Sequence, residues 1–299
     1  MSVRGDAPAD PAIYQVFTPH RAGLPNLLTY TRELWQRRSF AQEMSRAKMR
    51  GSKVNTFFGQ AWLLLNPLLQ ASVYFVMIMI IRGGFSDPEA GKQRFAHLTA
   101  SIFLFTIARV SLGTGAKSIT TSGKVLLNTN FPRLLIPLSA VRTAFFQFLP
   151  SIPLYLLIHL ATGQIWSPYM LASVYFILTM LVFSMGLAAL MATVNVYFRD
   201  TGNFLPFLLR LWMYLSPVLW TLEDLDSMLN KTPFPRVAEV LVQLNPAFPM
   251  LSGYTSLLQA NTWPSTFLWL ASAGWAIASV VVGFLFFISR ERDFAVRVL

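Results

Sequence analysis

Apolar residues gather into six stretches long enough to cross a bilayer, roughly 59–81, 95–115, 138–161, 168–195, 203–220 and 267–288. A helix that spans the hydrocarbon core needs about 20 mostly apolar residues. Pro150 and Pro153 interrupt the third stretch as kinks, which membrane helices tolerate when neighbouring groups satisfy the freed carbonyls. Ahead of the first stretch, residues 26–58 mix apolar anchors (Leu27, Leu28, Leu34, Trp35, Phe40) with a run of arginines and lysines. That mixture predicts an amphipathic helix lying in the membrane interface, with a merely basic flank as the plainer reading. Between the fifth and sixth stretches, residues 237–260 form two short apolar pieces split by Asn245-Pro246 and Pro249. Each is too short to span, so a re-entrant hairpin is expected there. The pattern predicts an all-α membrane protein of six transmembrane helices. Its segments are 1–58 (amphipathic), 59–288 (membrane) and 289–299 (tail).

Composition strengthens this picture. Of 299 residues, 54% are hydrophobic and 12% charged, with mean hydropathy +0.50, whereas soluble domains carry about 25% charged residues. Cysteine is absent, which excludes disulfides and thiolate chemistry. The first 25 residues are polar and lack the apolar core of a cleavable signal peptide, so the N-terminus is expected in the cytosol. With that orientation, sixteen of the 24 basic residues fall in inner segments, five in outer loops, and three (Arg109, Arg142, Arg210) within spans. The chain is expected in a bacterial inner membrane, and the bias predicts that both termini are cytoplasmic. It also accounts for the net charge of +11 without nucleic-acid binding.

Candidate chemistry is sparse. All 13 acidic residues lie outside the six predicted stretches, and His159 is singled out as a titratable group close to an outer end. Carriers coupled to ion gradients place ionisable relays at membrane depth, so such coupling is disfavoured. The string G-T-G-A-K-S at 113–118 lacks the spacing of a phosphate loop, and Gly123-Lys124 is followed by Val125 rather than a hydroxyl residue. No nucleotide site is expected, and catalytic, metal and cofactor-binding residues are expected to be absent. In the fifth stretch Phe204, Phe207, Leu211 and Tyr214 share one helical face, and the first carries Trp62, Tyr74 and Phe75. These aromatics either face lipid or, with Arg210, line a conduit, since sugar rings and polyprenyl chains both pack on aromatic faces. Arg109 and Arg210 either snorkel to the boundary or meet a passing anion. Arg46, Lys48 and Arg50, together with the ridge Lys124, Val125, Leu126 and Leu127, form candidate docking edges for a cytosolic partner. Arg199 and Asp200 form a charged elbow before the fifth span, a pivot rather than a contact site.

Four motifs in order carry a resemblance: F-P-R-x-x-x-P (Phe131 to Pro137), F-R-D (Phe198 to Asp200), Y-L-S-P-V (Tyr214 to Val218) and N-P-x-x-P-M (Asn245 to Met250). With six spans behind a basic amphipathic helix, the chain resembles the transmembrane permease subunit of ABC-type exporters for O-antigen, teichoic acid and related lipid-linked polysaccharides, over about residues 30–290. The resemblance implies a homodimer working with two copies of a separate ATPase, which carries ATP and magnesium. It also implies coupling helices near 30–50 and 120–135, a conduit along the first and fifth spans, and an outer gate that includes Asn245, Pro246, Phe248 and Pro249. Where the family usually has an arginine after the N-P motif, this chain has Ser252-Gly253-Tyr254, so no substrate role is carried to that loop. Within that family, and with 18 arginines against 6 lysines suggesting a GC-rich bacterial genome, the resemblance points to an actinobacterial galactan exporter. A permease for a small lipid or drug, and a polyprenyl-dependent glycosyltransferase using Asp87 and Glu89, stand as alternatives. An anchoring membrane protein is the third.

Overall fold

A computed structural model describes residues 26–51, 58–81, 87–123 and 131–297, and all regular structure among them is helical. Helix α1 (Leu27–Gln36) starts at Asn26, whose side chain accepts from the Leu28 amide at 3.1 Å. It turns at Arg37 into α2 (Arg38–Gly51). Next come α3 (Trp62–Ile81), α4 (Pro88–Ala116) and the single turn α5 (Ser118–Thr121). The third predicted stretch is two helices, α6 (Leu135–Phe148) and α7 (Ser151–Ala161), meeting at Leu149-Pro150. They are followed by α8 (Ser173–Tyr197), α9 (Thr201–Leu215), α10 (Leu222–Leu229), α11 (Pro235–Gln243) and α12 (Ala247–Thr255). The chain then forms α13 (Thr266–Arg290) and α14 (Phe294–Arg297).

Five segments are long and apolar enough to cross a membrane: Gly59–Ile81, Pro88–Ala116, Leu135–Ala161, Pro168–Tyr197 and Thr266–Asp293. The second begins earlier than the hydropathy pattern indicates. Asp87 caps it by accepting from the Glu89 and Ala90 amides, and Pro88 takes the first helical position, where a missing N–H costs nothing. The predicted fifth span is the element that differs. Its helix α9 has 15 residues and stops at Ser216-Pro217, so at about 1.5 Å per residue it covers about 22 Å of a core about 30 Å thick.

Helix α4 is the axis. Its apolar window is 83% buried inside the protein, against 22% to 44% for the other four segments. Phe103, Leu104, Phe105 and Ile107 from α4 meet Phe176, Met180 and Phe183 from α8 in the largest apolar cluster. Small residues let the next layer close up. A Cβ added at Gly186 of α8 would collide with the Ser279 backbone of α13, and one added at Gly283 would collide with the Gly186 carbonyl. The Ser279 hydroxyl bridges the same crossing to the Phe183 carbonyl at 3.1 Å.

Helix α12 is buried along its whole length among α4, α8 and α13. A nine-residue helix at that depth keeps its end groups out of lipid only because protein surrounds it. At the opposite end, α1 and α2 lie against the chain's last turns: Tyr30, Leu34, Phe40 and Met44 pack with Ile119, Leu134, Phe287 and Phe294. Leu28 and Trp35 stay exposed, with the Arg38 guanidinium 4.3 Å from the Trp35 ring.

One carboxylate ties this end together. Glu291 accepts from the Tyr30 hydroxyl at 2.6 Å and from the Arg133 amide, while Arg133 also donates to the Glu291 carbonyl. Burial, and then the Glu291 charge, push the Tyr30 hydroxyl above its ordinary value, so it stays protonated and donates. Glu291→Ala is expected to cost about 2 kcal/mol, because a hydrogen bond to a charged group contributes about 1.5–3 kcal/mol. The expected readout is a lowered Tm together with faster proteolysis in α1 and α2. Tyr30→Phe should show a smaller loss of the same kind.

Candidate functional site

A chain of polar groups crosses the apolar interior between α3, α4 and α9. The Arg109 guanidinium donates to Gln70 Oε1 at 3.0 Å, and Gln70 Nε2 donates to the Tyr74 hydroxyl at 3.4 Å. The Tyr74 and Tyr214 hydroxyls then meet at 3.2 Å, with their rings edge to face 6.0 Å apart. Arg109 has no carboxylate partner among the described residues; the hydrogen bond shown for it goes to the neutral Gln70. A charged side chain at membrane depth is costly and rare, which makes Arg109 a candidate functional residue. The aromatic network opens outward onto α9. Gly202, Leu205, Leu209 and Met213 form its buried face, while Phe204, Phe207, Arg210, Leu211 and Tyr214 are all exposed on the other.

Of the residues expected to line a conduit, Tyr74 of α3 and Tyr214 of α9 meet, and Phe204, Phe207, Arg210 and Leu211 are exposed on the same face of α9 as Tyr214. Phe75 lies apart from them, its ring packed edge to face on Phe95 at 5.3 Å, against α4. Trp62 is three turns away at the start of α3, beside the Phe58 ring. Gln70, which links Arg109 to Tyr74, has no signature in the sequence, because neutral amides such as Asn66 and Gln70 in an apolar run carry no pattern.

The residues expected to form an outer gate make a joint between α9 and α12. Asn245 Oδ1 accepts from the Trp212 indole at 2.8 Å and the Ala247 amide at 3.0 Å, while its Nδ2 donates to the Leu215 carbonyl at 3.1 Å and Ser216 Oγ at 3.0 Å. The end of α9 is thereby pinned to the start of α12. Pro246 precedes α12, whose Phe248 and Pro249 are buried, and the Phe248 ring stacks with Trp220. Above this joint, Arg94 of α4 makes a two-pronged ion pair with Asp224 of α10, at 2.9 and 3.2 Å. Both side chains are nearly buried (14% and 11% exposed), and Asp224 also completes a capping box with Thr221. Removing either partner alone, as Arg94→Met or Asp224→Leu, is expected to cost about 3 kcal/mol, the lower end for breaking a buried pair. The double variant should recover much of that loss in a thermal-unfolding cycle, because no unpaired charge remains.

His97 lies in the predicted 95–115 span, so His159 is not the only histidine inside a predicted span. It is buried beneath the same region, with Nε2 3.1 Å from the Trp220 carbonyl. His159 is buried as well, with Nε2 3.3 Å from the Ile165 carbonyl. Asp87 and Glu89 serve local ends. Asp87 caps α4, and Glu89 pairs with Lys92 at 2.7 Å in the open.

At the basic end, α2 packs on α6 through Ala41 and Ser45, whose hydroxyl lies 2.9 Å from that of Thr143. Arg46 and Arg50 project outward, Arg46 toward Glu43 at 2.7 Å. Lys48 is half-buried, and burial pushes its ammonium below its usual range. Lys124, Val125, Leu126 and Leu127 lie outside the described residues. At the elbow, Arg199 donates to the Arg297 carbonyl at 3.2 Å instead of pairing with Asp200, and the Asp200 carbonyl accepts from the Asn203 and Phe204 amides as α9 begins.

Together these features define a multi-pass helical membrane protein with a polar aromatic surface at membrane depth. The chain is 28% identical over 273 residues to the O-antigen export system permease protein RfbA of Myxococcus xanthus, covering 90% of this chain and 99% of that one. Two Klebsiella pneumoniae proteins of the same name match at 22% over 215 residues and 25% over 173, covering 75% and 62% of their own lengths. The resemblance to permease subunits of ABC-type polysaccharide exporters is thus borne out across almost the whole chain. No protein-family model matches it.

Proposed function

We propose that this chain is the membrane-spanning subunit of an ATP-driven exporter that moves a polyprenyl-diphosphate-linked polysaccharide out of the cytosol across the inner membrane. The observation that carries this reading is the near-complete alignment with the Myxococcus xanthus export permease. The exposed α9 face supports it: aromatic rings suit sugar faces and polyprenyl chains, and Arg109 and Arg210 offer positive charge to a diphosphate. In this reading two copies assemble, α3 and α9 border the path, and α9 with residues 216–220 makes the short sixth crossing. Helix α12 is the covered outer re-entrant element, joined to α9 at Asn245. Both termini are cytoplasmic. The ATPase, which binds ATP and magnesium, docks on α2 around Arg46 and Arg50 and on residues 120–135. The resemblance to lipid-linked galactan exporters makes a galactan the first cargo to test.

Reconstituted with its ATPase in proteoliposomes, the chain is expected to move a labelled lipid-linked glycan only when hydrolysable ATP is supplied. Polymer synthesis from a labelled polyprenyl donor by the chain alone would contradict the proposal and favour a transferase.

A further inference from the structure

Lys117, Thr120, Asn195, Arg199, Gly202 and Asn203 line a cleft of about 270 Å³ where α4, α8 and α9 meet at the basic end of the bundle. Sites for drug-sized ligands run to ~300–1,000 Å³, so this one suits a chemical group rather than a whole ligand. Its floor is Asn195, 3% exposed on the last turn of α8. Asn195 Nδ2 is 3.5 Å from Thr120 Oγ1, and Oδ1 is buried with no hydrogen-bond partner. Gly202 keeps the space open, since a Cβ there would lie 2.9 Å from both Asn195 Oδ1 and Lys117 Cε. The walls carry two cations. Arg199 gives one N–H to the Arg297 carbonyl, leaving the rest of its fork available, and Lys117 has no ion pair among the described residues. Of the nearby carboxylates, Asp200 is not among the lining residues and Asp293 accepts from the Tyr197 hydroxyl at 2.7 Å.

An amide buried without a partner carries a desolvation cost that an incoming donor removes. Two cations beside it select an anion, and the free Oδ1 acceptor selects a hydroxyl next to that anion. We propose that this cleft binds a phosphate or diphosphate group with a neighbouring hydroxyl, the chemistry shared by glycerol-type lipid headgroups and glycosyl diphosphates. The phosphate oxygens meet Lys117, Arg199 and the side-chain Nδ2 of Asn203, and the hydroxyl donates to Asn195 Oδ1.

The test uses the full chain in phosphatidylcholine nanodiscs. One arm adds phosphatidylglycerol and reads retained lipid by native mass spectrometry; the other titrates UDP-glucose by equilibrium dialysis. Wild type is expected to hold at least one of the two above the phosphatidylcholine background. Lys117→Gln and Arg199→Gln should each weaken it at least tenfold, and Asn195→Leu should weaken it with melting behaviour unchanged. Retention in the lipid arm alone assigns a membrane headgroup, and retention in the soluble arm alone assigns a free ligand. If wild type holds neither, or Lys117→Gln and Arg199→Gln bind as wild type does, the proposal is overturned. None of these outcomes depends on whether the chain exports polysaccharide.

Discussion

Gly186→Ala and Gly283→Ala are each expected to cost about 3 kcal/mol or more and to lower the yield of folded protein, though each adds a single methyl group. Overpacking a core typically costs ~1–3 kcal/mol when side chains can move aside. Here the new Cβ meets backbone: the Ser279 peptide in the first case and the Gly186 carbonyl in the second. Backbone in a helix cannot rotate away, so α8 and α13 must separate, opening the most extensive helix contact in the fold. Gly274→Ala, on the same α13, is the internal control. Nothing lies within 4 Å of its added Cβ, and alanine is the better helix former by up to ~1 kcal/mol. Thermal unfolding in detergent should therefore rank Gly274→Ala at or above wild type and both crossing variants far below it. Similar Tm values for all three would show that the helices do not meet as closely as this packing requires.

Arg109→Gln is expected to slow glycan transport in the reconstituted system by about a hundredfold at low substrate while leaving stability nearly unchanged. A charge-assisted hydrogen bond contributes ~1.5–3 kcal/mol, and each ~1.4 kcal/mol is tenfold. Stability should hold because Arg109 is bonded to the neutral Gln70, so its removal strands no buried charge. Arg109→Lys keeps the charge but loses the planar fork and should fall between the two. Wild-type transport by Arg109→Gln would mean that Arg109 only snorkels.

The long apolar spans were legible because length and composition alone decide them. The exposed side of α9 was legible because Phe204, Phe207, Leu211 and Tyr214 keep helical spacing on one unbroken helix. The end of α9 could not be read from hydropathy. Residues 216–220 are as apolar as the helix before them, but Pro217 and the hydrogen bonds from Asn245 end it at Leu215. The polar joints were hidden for a different reason. Glu291 finds Arg133 and Tyr30 from 158 and 261 residues away, and Arg94 finds Asp224 from 130. No local spacing encodes such partners, so in the sequence these residues looked like ordinary loop charges. Asn195 and Lys117 were equally silent, because a cleft exists only where three helix ends converge.

The central claim is that this chain carries a finished lipid-linked glycan across the membrane. Depleting it in its own cell and locating that glycan tests the claim most directly. Lipid-linked polymer is expected to accumulate on the cytoplasmic leaflet while its synthesis continues. Loss of synthesis, or an unchanged distribution between the two leaflets, would contradict it.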